Sequence, residues 1–329
     1  MRDIYIASAQ FEARDADVDY NFSRIESLAR QAVDQGAEIV SFHECSISGY
    51  TFLQTLSRDE LATLAEIVPD GPGTRRLMAL AKQLQVGLGA GLIERDGDRL
   101  YNCYIMVGPE GFVARHRKIH AFISPHLSWG NEFKVFDFLG IRASILTCYD
   151  NNLAENARVA TLLGAEVIFA PHVTGGLESP MPGRGKIARS LWDNRHRDPV
   201  RLRQEFEGPK GRGWIMRWLP ARAWENGVYY VYSNAVGVDH DTVKPGGAMI
   251  LDPYGEVLVE SRALGDDVVT ALCTAEKIPL SGGQRYLRAR RPELYAQLTK
   301  PLPPGQEPEV NPGWRAAGGM TAPSSVRKE

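Results

Sequence analysis

Apolar residues open the chain as a continuous run over 4–10 and return at helical spacing over 18–35. There Phe22, Ile25, Leu28, Ala29 and Ala32 fall on one face before Gly36 closes the segment. A second strand-like run follows at 38–42. Two such strands joined by a helix predict a parallel pair and an α/β layer structure. Helical spacing is found again at 61–68 and 73–85. From Val86 the pattern changes to short strands at 86–94, 100–107 and 112–119, separated by Asp96-Gly97-Asp98 and Pro109-Glu110-Gly111. Turn residues of this chemistry predict an antiparallel meander.

The second half repeats the plan. Strands are predicted at 141–148, 166–170 and 228–236, with helices at 154–163, ended by Gly164, and at 214–226. Segments 247–251 and 256–260 flank Asp252-Pro253-Tyr254-Gly255, which matches the earlier Gly108-Pro109-Glu110-Gly111. Two related halves, each with apolar strand faces to hide on both sides, pack as a four-layer α-β-β-α sandwich. Two stretches fall outside this plan. The segment 175–213 is rich in Gly, Pro, Arg and Asp and reads as an insertion, and loops of such length in compact domains are commonly functional or mobile. Residues 299–329 form a Pro-rich extension, including Pro301, Pro303, Pro304, Pro308, Pro312 and Pro323, too polar to hold a core.

Composition narrows the function classes. Glycine (32 of 329) and proline (20) fit a turn-rich fold, and 38 Lys+Arg against 40 Asp+Glu gives a net charge of −2, so no polyanion-binding surface is indicated. Nucleic acid is not an expected partner, and no Walker loop or dinucleotide fingerprint points to a cofactor. The four cysteines, Cys45, Cys103, Cys148 and Cys273, contain no CxxC pair and read as reduced thiols. With no long apolar span and no leader-like start, a cytoplasmic protein free of membrane contact is expected. His116 and His120 stand four apart, but on a strand that spacing does not make a helical metal face, so no metal is expected.

Three residues sit where α/β sheets place chemistry. Glu44 ends the run Ile39-Val40-Ser41-Phe42-His43-Glu44, and Cys148 ends 141–148 just before a helix. A thiol at a strand-to-helix turn lies beside backbone N–H groups that can face an oxyanion. Lys118 closes the last strand of the meander. Each alone has an ordinary reading: core cysteine, surface acid, solvated edge lysine.

Together, Phe42-His43-Glu44, Arg117-Lys118-Ile119-His120 and Cys148-Tyr149-Asp150 resemble the nitrilase superfamily, the carbon–nitrogen hydrolases with a Glu-Lys-Cys triad. Further agreement lies in Ser8-Ala9-Gln10, Tyr101-Asn102, Gly130-Asn131-Glu132, Ala221-Arg222-Ala223-Trp224-Glu225-Asn226 with Asn234, Asp252-Pro253-Tyr254-Gly255 and Arg290-Arg291-Pro292-Glu293-Leu294-Tyr295. The resemblance covers about residues 1–298, read as one hydrolase domain that contains the insertion.

It implies that Cys148 is the nucleophile and Glu44 the general base. Lys118, with the Tyr149 backbone N–H, would stabilise the oxyanion, and an acyl-cysteine would form with release of ammonia or an amine. Cys-Tyr-Asp is typical of the amidase and carbamoylase branches, whereas nitrilases show Cys-Trp-Glu, so a small amide or N-carbamoyl substrate is expected. Nitrile conversion by the same triad is the alternative. The second glutamate common after the family's lysine is missing from 119–131, which leaves open an impaired, binding-only protein. His120, His126, Glu178, Asp193 and Glu205 are the side chains considered for its place. His120, His126, His172, Trp192 and Arg195 are candidate substrate contacts, the last two in a basic insertion suited to an acidic group. The family pairs subunits through helices after the nucleophile, here 152–163 and near 214–226, so a homodimer or larger even oligomer is implied.

Overall fold

The computed structural model describes residues 1–306 apart from 178 and 180, together with residue 308. Glu178, Pro312 and Pro323 lie outside the described residues. The first half runs β1 (Ile4–Gln10), α1 (Val18–Asp34), β2 (Ile39–Ser41), α2 (Arg58–Leu64), α3 (Pro72–Leu84), β3 (Gly87–Asp96), β4 (Arg99–Gly108), β5 (Gly111–Arg117) and β6 (Leu127–Ser128). The second begins with β7 (Val135–Phe138), β8 (Ile141–Ile145), α4 (Ala154–Leu162) and β9 (Val167–His172). Next come α5 (Arg189–Asp193), α6 (Pro199–Glu207), α7 (Arg212–Ile215) and α8 (Leu219–Asn226). It closes with β10 (Tyr229–Asn234), β11 (Val236–Asp239), β12 (Thr242–Pro245), β13 (Met249–Leu251), β14 (Val257–Glu260), β15 (Asp267–Cys273), α9 (Lys277–Leu280) and α10 (Gly282–Arg288).

The halves have the same topology. One sheet is ordered β15-β1-β2-β3-β4-β5 with β6 beside β4, the other β14-β13-β10-β9-β8-β7, and β11-β12 form a separate ribbon. In each, three parallel strands (β1-β2-β3; β8-β9-β10) continue into an antiparallel meander, and an antiparallel strand borders the first (β15 on β1; β7 on β8). The two matching Pro-x-Gly turns carry Gly111 and Gly255 at φ of 122° and 78°, a region that residues with a Cβ avoid.

Strand alternation makes the layers. Ile4 and Ile6 of β1 pack with Tyr104, Met106, Val167, Phe169, Tyr229 and Val231 between the two sheets. Ala7 and Ala9 point the other way, against Phe22, Ile25, Leu28 and Leu77 of α1 and α3. On the outer face of the second sheet, Ile168, Ala170, Tyr230 and Tyr232 meet Ala157, Ala160, Leu219 and Ala223 of α4 and α8. The four-layer α-β-β-α sandwich is therefore present. A buried polar stitch crosses its centre: Ser8 Oγ donates to Tyr232 O at 2.6 Å, and Ser233 Oγ donates to Ser41 O at 2.9 Å. It ties β2, which leads to Glu44, to the opposite sheet.

Three segments depart from the sequence pattern. The helix expected at 61–68 is instead Arg58–Leu64, started by a Ser57–Glu60 capping box. It stops because Glu66 joins the sheet edge, its N–H donating to Ile93 O while its own carbonyl accepts Arg95 N. The helix expected at 214–226 is two pieces, with Pro220 in the first turn of α8, where a missing N–H is tolerated but helix continuation is not. The insertion is a small helical layer of α5, α6 and α7. Ile187, Trp192, Leu202 and Phe206 bury themselves against Val236 and Val243 of the ribbon. Among the described residues no helix is long and apolar enough to cross a membrane.

Candidate active site

The carboxyl ends of β2, β8 and β9 and the end of β5 converge at one buried point. Glu44 lies three residues beyond β2, Cys148 three beyond β8, Val173 just after β9 and Lys118 just after β5. Lys118 Nζ donates to Glu44 Oε1 at 2.7 Å, with both side chains fully enclosed. Asn102 Nδ2 of β4 donates to the same oxygen at 2.6 Å, and Val173 N donates to Oε2 at 3.2 Å. Asn102 also accepts the Lys118 backbone N–H through its own carbonyl at 2.8 Å, so one strand residue positions both partners of the ion pair. Burial disfavours the Lys118 charge, but the Glu44 carboxylate outweighs it, aided by the Tyr50 and Cys148 side chains. The ammonium pKa is held well above its ordinary value. Its Nζ also lies 5.4 Å from the Tyr50 ring centre and 4.9 Å from that of Phe122.

Close approach forces some residue choices. A Cβ on Gly91 of β3 would stand 2.1 Å from Cys45 N and 2.9 Å from the Glu44 carbonyl carbon. Only glycine lets the chain carrying Glu44 cross the sheet edge there. Cys148 itself sits at φ 50°, a left-handed conformation that costs a non-glycine residue about 1–2 kcal/mol. The turn is secured from behind: Asn151 Nδ2 donates to Leu146 O at 2.6 Å and to Cys148 O at 3.2 Å.

Burial first, then the Glu44 charge, push the Cys148 thiol up to about 12; Lys118 and the Val173 N–H act in the other direction. The resting group is thus a neutral thiol beside a carboxylate and a fixed cation. Such an arrangement can generate a nucleophile by proton transfer to the carboxylate as bond formation proceeds.

Asp150, two residues past the cysteine, is wholly buried and joins the Cys148 turn to the Lys118 loop. Its Oδ1 accepts His120 N and Nδ1 at 2.9 and 2.8 Å; Oδ2 accepts His116 Nε2, Ile119 N and Thr147 N at 3.0, 3.2 and 3.2 Å. Burial opposes its charge, yet the hydrogen bonds from His116 and His120 prevail and hold the carboxyl well below the usual range.

The secondary candidates divide. His172 is buried at the end of β9, with Nε2 accepting from Asn151 Nδ2 at 3.2 Å and its ring against Tyr232 and Trp218. Burial, then the Lys118 charge, lower its pKa to about 3, so it is neutral. His120 is committed to Asp150, and half-buried His126 has its backbone N–H on Ser124 Oγ. Trp192 departs from the expected substrate contact: only 3% exposed, it stacks on Phe206 in the insertion core, 6.3 Å between ring centres. Arg195 lies over the Trp192 ring at 4.0 Å and donates to Trp192 O, and no hydrogen bond or ring contact among the described residues links it to the triad. Asp193 pairs with Arg189 and Glu205 with Lys210 at the surface. Neither stands near Lys118, whose sole carboxylate partner among the described residues is Glu44.

Pattern reading passed over Asn102, Tyr50, Asn151 and Val173 as site groups. Asn102 was findable as a lone amide inside the apolar strand Leu100–Val107; the others act through a backbone N–H or a loop position that carries no periodic signal. Among the described residues, no group of three or more His, Cys, Asp or Glu is arranged to hold a metal ion.

Comparison with known proteins identifies the family. The carbon-nitrogen hydrolase family profile matches residues 5–279. An (R)-stereoselective amidase of Pseudomonas sp. is 32% identical over 90% of this chain and 94% of its own length. A nitrilase of Pyrococcus abyssi is 30% identical over 82% and 88%, and an N-carbamoylputrescine amidase of Arabidopsis thaliana 27% identical over 90% and 95%. Among solved structures, a mutant amidase from Nesterenkonia sp. AN1, showing covalent addition of the acetamide moiety of fluoroacetamide at the active-site cysteine, superposes with a TM-score of 0.66. It is 21% identical, over 89% of this chain and 96% of that one, and supports the fold. With a profile match over most of its length and relatives aligned nearly end to end, this chain belongs to the carbon–nitrogen hydrolases of the nitrilase superfamily.

Proposed function

We propose that the protein hydrolyses the C–N bond of a small amide or N-carbamoyl compound through an acyl-cysteine at Cys148. The observation that carries this reading is the enclosed Glu44–Lys118 pair at 2.7 Å, with the Cys148 thiol coupled to both charges and to the Val173 N–H. As Sγ attacks the carbonyl carbon, its proton passes to Glu44 and the C=O electron pair moves to oxygen. Lys118 and the Tyr149 N–H stabilise that oxyanion. Collapse breaks the C–N bond, Glu44 returns its proton to the departing nitrogen, and ammonia or an amine leaves. Water, deprotonated by Glu44, then attacks the thioester. The acid departs and the thiol regains its proton.

The test is intact mass after acid quench of the protein with small amides, N-carbamoyl amino acids and matched nitriles, read together with released ammonia. An acyl mass on wild type, absent in Cys148→Ala, is expected; neither adduct nor ammonia from any compound would overturn the reading. The Pyrococcus relative named a nitrilase favours a second reading, conversion of a nitrile by the same triad. Acid and ammonia from nitriles alone would select it. A binding-only role predicts neither product. Glu44, Lys118 and Cys148 interact without a second glutamate beside Lys118 among the described residues, and that supports catalysis over binding alone.

We further place the hydrolase domain at residues 1–298, and we propose a homodimer or larger even oligomer. Leu162, Leu163, Trp224 and Tyr286 leave apolar surface exposed around α4, α8 and α10, the region such pairing would cover. Light scattering giving a monomer mass at micromolar concentration would exclude it. Four free, buried cysteines support a cytoplasmic setting.

A further inference from the structure

Among the described cations of the 175–213 segment, Arg184 has two buried side-chain nitrogens without a hydrogen-bond partner and Arg195 has one. Lys186 pairs with Asp241, Arg189 with Asp193, Lys210 with Glu205 and Arg212 with Glu260. Arg184, like Arg195, Arg197, Arg201 and Arg203, forms no such pair among the described residues, and Arg195 and Arg203 donate to backbone carbonyls instead. The Arg184 guanidinium stacks on the Trp214 ring, 4.5 Å from the centre, while Nε and Nη1 are shut off from solvent without a hydrogen-bond partner. A buried charged donor left unmet is costly, and a guanidinium fork matches a carboxylate in two parallel bonds.

The surroundings tie this residue to the active site. Trp214, under the Arg184 guanidinium, packs against the cluster that contains Tyr232; in agreement, burial lowers the Arg184 pKa, while the Tyr232 and Cys148 side chains favour its charge and Arg217 opposes it. Tyr232 Oη is also buried and unpartnered. The Tyr232 ring lies 4.8 Å from that of His172, whose Nε2 accepts from the Asn151 amide that supports Cys148. Because Asn151 donates to Nε2, the neutral imidazole carries its proton on Nδ1, and Nδ1 too has no partner. Arg184 Nε and Nη1, Tyr232 Oη and His172 Nδ1 can all donate hydrogen bonds, whereas the unmet Asn151 Oδ1 of the cysteine turn can only accept. The unmet donors of Arg184 and Tyr232 fit an acceptor-only anion.

We infer that Arg184, with Tyr232 Oη as a second donor, binds a carboxylate carried by the substrate on the side away from the scissile bond. The substrates are then amides or N-carbamoyl derivatives of small carboxylic acids. This deepens the hydrolase reading and rests on it.

The experiment compares kcat/KM of the full-length protein on the monoamides of succinic, glutaric and adipic acids with that on butyramide. Wild type is expected to prefer at least one anionic amide. Arg184→Gln should remove that preference by roughly 10- to 100-fold, mainly through KM, with butyramide turnover unchanged, and Arg184→Lys should restore part of it. Tyr232→Phe is expected to shift the same ratio by a smaller factor. No anionic preference in wild type, or an equal loss on both substrate types in Arg184→Gln, overturns the assignment. If wild type turns over no amide, the hydrolase reading has failed, and calorimetry with succinate, glutarate and adipate decides the anion site separately. Binding weakened at least tenfold by Arg184→Gln supports the site; no binding by wild type removes it.

Discussion

Replacing Glu44 by Gln is expected to lower kcat by about 10²–10⁴-fold while making Cys148 more reactive toward iodoacetamide. The two effects separate because Glu44 has two opposed influences on the thiol. It is the group proposed to take the proton, so turnover is expected to depend on it. Its charge is also, after burial, the main reason the thiol titrates as high as about 12. Glutamine removes that charge and leaves Lys118 to favour the thiolate, so alkylation at any fixed pH below that value should be faster than in wild type. The fold should tolerate the change, since an amide oxygen can still accept from Lys118 and Asn102. Its NH₂ would face the Val173 N–H, which now donates at 3.2 Å, at the modest loss of one hydrogen bond. Steady-state rates and alkylation followed by intact mass provide the measurement. Unchanged kcat would remove Glu44 as the base, and alkylation that falls in step with turnover would mean that the site had collapsed.

Asp150→Asn should destabilise the protein by about 3–5 kcal/mol, a drop of roughly 5 °C or more in Tm, and should also depress turnover. One carboxylate accepts from two histidines and three backbone N–H groups. An asparagine would turn an NH₂ toward one of those two sets of donors. Because Ile119 and His120 follow Lys118 directly and Thr147 precedes Cys148, loss of the joint loosens cation and nucleophile relative to each other. Catalysis depends on that separation to within about an ångström. The pH dependence has a definite sign. Asp150 titrates lower in the folded protein than in the unfolded chain, where the ordinary value is about 3.9. Its stabilisation is therefore complete above about pH 4 and fades as pH falls through the depressed folded value. The Tm gap between wild type and variant should be widest near neutrality and narrow at pH 3. Equal melting temperatures at pH 7 would show that the joint carries no stability.

Much of the architecture could be read in the sequence because each strand and helix advertises its own buried face. The strand at 4–10, the helix near 18–35 and the two Pro-x-Gly turns follow from local spacing and turn chemistry, and the structure carries them as β1, α1 and the β4–β5 and β13–β14 connections. Their repetition foretold two similar halves. What failed locally was decided by distant partners. The 61–68 helix ends early because Glu66 finds Ile93 and Arg95 at the sheet edge. Trp192 is a core residue of the insertion because α6 brings Phe206 beneath it. The pairing of β15 with β1 sets Cys273 opposite Ile4, and no window of neighbouring residues contains that information.

The same division runs through the site. By itself the sequence determined which side chains are chemically able to act and where along the chain they stand: an acid past one strand, a lysine closing a meander, a thiol at a strand-to-helix turn. Tertiary structure decided what they do to one another. Only folding brings Glu44 within 2.7 Å of Lys118, excludes the water that would screen that pair, and leaves two buried Arg184 nitrogens without a partner. Charge interactions depend on separation and on the dielectric between the groups, and both are properties of the packed molecule rather than of residue order.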